Sequence, residues 1–181
     1  MQCIYIAEMK NPWTLASERV MISRPEYEWE CQWISLDGSK SGYPIHVNEN
    51  PCFFRSRGGD KLLIYYSASA NWTPYSCVGL LTADAESDPL CPESWTKVAE
   101  PVFRQSVENE VYGPNNPCFI PSPNGEEWYL MFNARHTQRD LFLSPQRYVH
   151  LQKIEWDNQG IPVLGVPTKS GVPIKKPAGS L

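Results

Sequence analysis

The sequence predicts an all-β fold made of about three antiparallel four-stranded sheets, arranged as blades of an incomplete propeller. Residues 48–68 and 114–134 repeat each other, and each reads as a short strand, a polar turn with glycine and an aromatic-rich strand. Both copies contain Asn-Pro-Cys-Phe, beginning at Asn50 and at Asn116. The chain also has 17 prolines, 11 glycines and 22 aromatic residues (7 Trp, 9 Tyr and 6 Phe). Repeated hairpins in a turn-rich, aromatic-rich chain are typical of radially repeated sheets.

The predicted strands are short apolar runs separated by turn residues. They cover residues 3–9, 19–23, 52–55, 61–68, 77–82, 102–104, 117–120, 127–133, 148–156 and 163–164. Glycine-containing turns at 58–60, 123–125 and 157–160 predict hairpins, and 92–97 predicts a single helical turn. The Pro/Gly/Lys-rich residues 168–181 are expected to trail along the surface, so we predict one domain over residues 1–167.

Composition excludes several classes of function. The chain carries 16 basic and 20 acidic residues, a net charge of −4, with no basic stripe, so nucleic acid is not an expected partner. Its longest apolar runs, such as 62–66, are too short to cross a bilayer, so no membrane is expected. The first residues read as a strand with no signal peptide, which suggests that the chain begins inside a fold.

The cysteines and histidines do not have the spacing of a metal site. Six cysteines occur without a CxxC pair or a Cys/His cluster. Cys52 and Cys118 occupy equivalent repeat positions and are expected to be buried as small hydrophobic residues, with a disulfide framework as the alternative. His46, His136 and His150 are expected to be structural or surface residues.

The order of the motifs resembles glycoside hydrolase family 43, the five-bladed propeller arabinofuranosidases and xylosidases, and the resemblance covers the C-terminal part of that domain. Residues 47–51, Val-Asn-Glu-Asn-Pro, resemble the family's V-N-E-G-P, and residues 22–30 resemble its S-x-P-x-Y-x-W-E. The other matching segments, in the family's order, are 4–9, 11–14, 66–69, 80–84, 95–97, 101–103, 112–114 and 152–157.

The resemblance implies a glycosidase that hydrolyses O-glycosyl bonds in arabinose- or xylose-containing polysaccharides, with an inverting mechanism and Glu49 as the general acid. A glycosidic oxygen is a poor leaving group unless it is protonated as the bond breaks. An inverting enzyme holds a second carboxylate across the sugar, about 6.5–9.5 Å away, to activate water. The family is extracellular, so secretion is expected.

Four further residues are expected near the sugar, each with a plainer alternative. Ser67 and Cys77 lie at strand ends that face the family's pocket, and core packing is the alternative. Trp72 could stack on a sugar ring or cover the core, although Asn71-Trp72-Thr73 is also a glycosylation sequon. Arg147 resembles a family arginine that pairs with carboxylates, and a surface salt bridge is the alternative.

The resemblance requires no cofactor and implies a Ca²⁺ site on the propeller axis. Asn116 replaces the family's axial histidine and could offer an oxygen, and Asn133 stands where a second histidine is common. Asn replaces Gly at position 50 and at position 115, which Asn tolerates because it adopts left-handed conformations more readily than most residues.

Both catalytic aspartates of the family pattern align before residue 1. Asp37, in a segment 35–43 that resembles an inserted loop, is the remaining candidate for the base, with a solvated turn residue as the alternative. We therefore expect one of three things: part of a working arabinofuranosidase, a non-catalytic sugar-binding fragment, or a propeller completed by a second chain.

Overall fold

The computed structural model describes residues 1–34, 40–42, 46–138 and 146–180, and within them the chain forms fifteen strands and two short 3₁₀ turns. The all-β prediction is therefore confirmed. The strands are β1 (Ile4–Ile6), β2 (Met9–Asn11), β3 (Thr14–Leu15), β4 (Val20–Ser23), β5 (Gln32–Ile34), β6 (Lys40–Gly42), β7 (Asn48–Arg55), β8 (Lys61–Ala68), β9 (Cys77–Asp84), β10 (Thr96–Lys97), β11 (Tyr112–Pro121), β12 (Trp128–Arg135), β13 (Tyr148–Lys153), β14 (Glu155–Trp156) and β15 (Pro162–Val163). The 3₁₀ turns are Glu28–Glu30 and Pro92–Ser94.

The centre of the structure is an antiparallel four-stranded sheet in the order β10-β9-β8-β7. Residues 62–68 of strand β8 are all buried because both faces of this sheet are covered. Its alternate residues Leu63 and Tyr65 enter one core, whereas Leu62, Ile64 and Tyr66 enter the other. A blade packed between two neighbours requires such a strand, whose alternate side chains enter the cores on its two faces.

The second sheet has the order β11-β12-β13, and the pair β14–β15 follows it. Its β11–β12 hairpin repeats the β7–β8 hairpin of the central sheet. Asn50 and Asn116, which occupy equivalent positions, both have left-handed backbones, with φ of 51° and 54°. In each hairpin the strand register shifts at this asparagine. The sequence repeat is therefore a repeat of structure, including a bulge that only a residue tolerant of positive φ can form.

The N-terminal residues form three two-stranded sheets, β1–β4, β2–β3 and β5–β6, and the first of them covers the other face of the central sheet. Ile4 and Ile22 from β1 and β4 pack against Leu62, Ile64 and Tyr66. Gln2 forms a parallel bridge with Val47, just before β7. One complete blade between two partial ones matches the expected incomplete propeller.

Several predicted boundaries were wrong. The expected strand 3–9 is divided into β1 and β2, and 148–156 is divided at Ile154 into β13 and β14. Residues 102–104 contribute only an isolated bridge between Phe103 and Val78. Strands β3, β5, β6 and β10 were not predicted, and β6 falls inside the segment expected to be an inserted loop. Asp37 lies outside the described residues.

The expectation that Cys52 and Cys118 are buried is also wrong. Cys118 is exposed and Cys52 is half-buried, and neither belongs to the two cores. All six cysteines are free thiols.

The C-terminal tail is held by specific contacts. Glu127 accepts a hydrogen bond from the Ala178 N–H (2.9 Å), and Ala178 O accepts one from the Asn124 N–H. The tail therefore returns to the β11–β12 turn. In the described part of the chain, no helix is long and apolar enough to span a bilayer.

Candidate active site

Glu49 lies at the edge of the central sheet where β7 begins and β8 ends. It is half-buried and pairs across the two strands with Ser67. Its Oε1 accepts a hydrogen bond from the side-chain amide of Asn71 at 3.1 Å. Asn71 belongs to the loop 69–76 that joins β8 to β9. The carboxyl group is thus oriented by the same blade that carries it.

Loop 69–76 is held from inside and from the neighbouring sheet. Thr73 Oγ1 donates to Ala70 O (2.9 Å) and accepts from the Tyr75 N–H (3.2 Å). The Gly113 N–H donates to Pro74 O at 2.8 Å. These contacts make the predicted sequon Asn71-Trp72-Thr73 part of a fixed turn beside Glu49.

Arg135, at the end of β12, is a site residue that the sequence analysis did not identify. It is only 2% exposed, and its two terminal nitrogens donate to consecutive loop carbonyls, Trp72 O at 2.9 Å and Asn71 O at 3.0 Å. The available signal was a charged residue directly after the buried apolar end of a strand, a position where an unpaired charge is unfavourable.

A second set of hydrogen bonds joins the two sheets beside Glu49. The Asn116 N–H donates to the buried Ser67 Oγ at 2.8 Å. The side-chain amide of Asn50 donates to Asn116 Oδ1. Ser67, which was expected to contact sugar, is therefore a link between blades.

The same contacts test the expected metal site. Asn116 Oδ1 already accepts a hydrogen bond, and the described residues hold no cluster of three or more His, Cys, Asp or Glu that could bind a metal. Because Ca²⁺ prefers six to eight oxygens that include carboxylates, these amides alone do not fit a calcium ion.

The other predicted residues lie in different surroundings. Cys77 is 3% exposed and its Sγ contacts Trp29 O at 3.7 Å, so we interpret it as a core residue. Trp72 is half-buried, with its carbonyl on Arg135, and Arg147 is exposed.

Within the described residues, no hydrogen bond joins any of the three histidines to Glu49. His136 and His150 face each other, with 3.3 Å between their Nε2 atoms. Burial, and then His136, lower the pKa of His150. His136 also contacts Ser170 Oγ (2.8 Å), so this pair anchors the tail. His46 is half-buried, and its carbonyl accepts the Gln2 N–H.

Comparisons with known proteins agree with this geometry. The family model described as "Glycosyl hydrolases family 43" matches residues 1–162. The chain is 36% identical to the extracellular exo-α-(1→5)-L-arabinofuranosidase of Streptomyces avermitilis, over 93% of this chain and 33% of that protein. It is 33% identical to α-L-arabinofuranosidase 43 of Humicola insolens, over 93% of this chain and 33% of that protein.

Solved structures show the same relationship. The α-L-arabinofuranosidase of Lactobacillus brevis superposes with a TM-score of 0.80 and 32% identity, over 92% of this chain and 48% of that one. A thermostable family-43 glycoside hydrolase shares the fold, with a TM-score of 0.74 and 23% identity, over 98% of this chain and 51% of that one. The chain thus spans about a third of the length of these curated relatives and about half of these structures. It belongs to the glycosyl hydrolases of family 43.

Proposed function

We propose that this chain is the acid-bearing part of an inverting, secreted α-L-arabinofuranosidase that acts on arabinose-containing polysaccharide, with Glu49 as the general acid. The observation that carries the proposal is one half-buried carboxyl group, Glu49, oriented by an amide at an inter-blade edge of a family 43 propeller. Relatives named arabinofuranosidases support the sugar, and one of them is named extracellular.

The geometry suits proton donation. Asn71 occupies Oε1 of Glu49, which leaves Oε2 to carry the proton toward a glycosidic oxygen. As the bond between the sugar carbon and that oxygen breaks, the bonding electrons move to the oxygen and the proton from Glu49 joins it. General acid catalysis of this kind contributes roughly 10²–10⁴-fold to the rate.

The water-activating half of the reaction needs a second carboxylate across the sugar. Within the described residues, no hydrogen bond or ion pair links Glu49 to another carboxylate. The resemblance to the family pattern implies two aspartates that would precede residue 1 of this sequence. We therefore propose that residues 1–181 alone release arabinose very slowly and that aspartates outside this sequence complete the site.

The test is hydrolysis of 4-nitrophenyl α-L-arabinofuranoside. It compares two purified polypeptides, residues 1–181 and the full product of the gene that encodes them, each with Glu49 and with Glu49→Gln. We expect the longer protein to lose about 10²-fold or more of its rate in the variant. Turnover that Glu49→Gln leaves unchanged would refute the acid assignment. Fast turnover by residues 1–181 that the variant abolishes would refute the proposal that the base lies elsewhere.

A second candidate function, sugar binding without hydrolysis, is favoured because no second carboxylate bonds to Glu49 within the part of the chain that the structure describes. It predicts that the chain binds an arabino-oligosaccharide, measured by calorimetry, while neither polypeptide hydrolyses the aryl glycoside. Turnover by the longer protein that depends on Glu49 would exclude it.

A further inference from the structure

We propose that Arg135 is a positioning residue: from the neighbouring sheet, it holds Asn71 in the orientation in which its amide engages Glu49. The inference rests on the proposed role of Glu49 and extends the site into a second blade. It assigns to a buried arginine on β12 control over the orientation of the acid on β7.

The argument begins with the burial of Arg135. A guanidinium group is expensive to bury unless its N–H groups find acceptors. Here two terminal nitrogens reach two consecutive carbonyls, those of Asn71 and Trp72, at 3.0 and 2.9 Å. A planar fork of donors that binds two adjacent peptide oxygens fixes the plane and the direction of the chain between them.

The fixed peptide is the one that bears the relevant amide. The orientation of the Asn71 side chain depends on its own backbone, which Arg135 holds by the Asn71 carbonyl. The Asn71 Nδ2 then lies 3.1 Å from Glu49 Oε1. Two hydrogen bonds therefore connect Arg135 to the carboxyl group without direct contact.

This arrangement selects one carboxyl oxygen. The amide N–H of Asn71 can donate to Oε1 whether Glu49 is ionised or protonated, because Oε1 is the carbonyl oxygen when the proton lies on Oε2. Without the clamp, the carboxyl group can rotate and place its proton on either oxygen. A displacement of about 1 Å at such a group can lower a rate by about 10²-fold.

The loop has its own anchors elsewhere, so loss of the clamp need not unfold it. Thr73 bonds to Ala70, and Gly113 bonds to Pro74, and neither hydrogen bond involves Arg135. We therefore expect substitution of Arg135 to release Asn71 while residues 73–75 stay in place.

The test follows the Asn71 side-chain amide by nuclear magnetic resonance in the ¹⁵N-labelled chain, with its signal identified by its loss in Asn71→Ser. In the unsubstituted chain we expect this signal to shift as Glu49 gains a proton, and the shift to disappear in Glu49→Gln. Arg135→Lys keeps the charge but loses the fork, and Arg135→Met loses both. In a folded variant of either kind we expect the pH-dependent shift of Asn71 to fall by at least half.

Arg104→Met is the matched control because Arg104 is exposed. A folded Arg135 variant that keeps the full Asn71 response would overturn the proposal. If neither variant folds, the Arg135 side-chain signals of the unsubstituted chain test the clamp instead. The clamp requires separate, slowly exchanging Arg135 Nη protons with contacts to Asn71 and Trp72, whereas one averaged, rapidly exchanging guanidinium signal would contradict it.

A kinetic measurement separates this inference from the proposed function. In a polypeptide that hydrolyses the aryl arabinofuranoside, Arg135→Lys should lower kcat by about ten- to a hundredfold with little change in KM. Coupling seen by resonance in a protein without Glu49-dependent turnover would support the clamp and refute the proposed function. Glu49-dependent turnover without this coupling would support the proposed function and refute the clamp.

Discussion

Glu30 is the residue whose removal should destabilise this fold most clearly. Its side chain is fully buried, and its carboxylate accepts hydrogen bonds from the N–H groups of Glu26 (2.6 Å) and Tyr27 (2.8 Å). It also accepts bonds from Tyr66 Oη (3.0 Å) and Lys97 Nζ (3.0 and 3.2 Å). Burial, and then the charge of Glu30, raise the pKa of Tyr66, so this hydroxyl remains a donor.

The magnitude follows from what Glu30→Ala leaves behind. The Lys97 side chain is 9% exposed and would lose its nearest carboxylate, keeping only the Arg24 carbonyl and the exposed Glu26 carboxylate 3.9 Å away. Breaking a buried ion pair from one side destabilises by about 3–5 kcal/mol. For a chain of this size each kcal/mol lowers Tm by about 2–4 °C. We therefore expect a loss of about 4 kcal/mol in the free energy of unfolding and a Tm lower by about 8–16 °C.

Urea denaturation followed by tryptophan fluorescence measures this loss, because Trp29 stacks on both Tyr27 and Tyr66 beside the carboxylate. Glu86→Ala is the control, since Glu86 is exposed and its removal should change stability by less than about 0.5 kcal/mol. The double variant Glu30→Leu/Lys97→Met removes both charges and should lose less than Glu30→Ala. A Glu30→Ala chain as stable as Glu86→Ala would refute the reasoning.

Two further outcomes test the loop and the tail. Gly113 has φ of +56°, and a Cβ there would lie 2.5 Å from Thr73 O, so Gly113→Ala should lower Tm more than Gly125→Ala, which has φ of +75° and no atom within 4 Å. Equal Tm values would contradict this close approach. The pKa of Glu127 is lowered from 4.5 to about 2, mainly by the Ala178 N–H and then by Lys153 and Tyr129. Because this folded pKa is depressed, the contribution of Glu127 is complete above about pH 4.5 and is lost as the pH falls toward 2. The Ala178 amide resonance of the folded chain should shift as the pH falls toward 2 and Glu127 gains a proton, and an equal shift in Glu127→Gln would refute the assignment.

The strands that the sequence predicted well are those with uninterrupted apolar runs. Strand β8 was predicted with its observed bounds, because a strand buried on both faces has an almost continuous apolar run, here residues 62–66. The first halves of β7 and β11 were missed, because a Pro and a left-handed Asn interrupt the pattern where each strand bulges. The two-residue strands lack a periodic signal altogether and form through tertiary pairing.

The site was less predictable than the fold, for a different reason. Glu49 was proposed as the acid because it lies in a motif that resembles the family's and because the second repeat has Asn115 in its place. Arg135 and Asn71 were missed as site residues because their roles depend on contacts about 64 positions apart, between a strand end and a loop of another sheet. Ser67 was expected to contact sugar on the basis of its strand position, which remains a prediction, and the sequence did not show that its Oγ accepts a hydrogen bond from the Asn116 N–H.

A comparison of the two repeats explains why Arg135 contacts the loop whose Asn71 bonds to Glu49. Ser69 and Arg135 occupy equivalent repeat positions, directly after β8 and at the last residue of β12, and each reaches back to an earlier segment. Ser69 Oγ donates to Trp29 O (2.8 Å) and accepts from the Gln32 N–H (2.7 Å), whereas Arg135 binds the carbonyls of residues 71 and 72. The scaffold therefore uses this position to join successive units. Replacing a short hydroxyl by a long guanidinium extends the same junction to the loop that orients Glu49, so that one structural contact of the propeller also becomes part of the site.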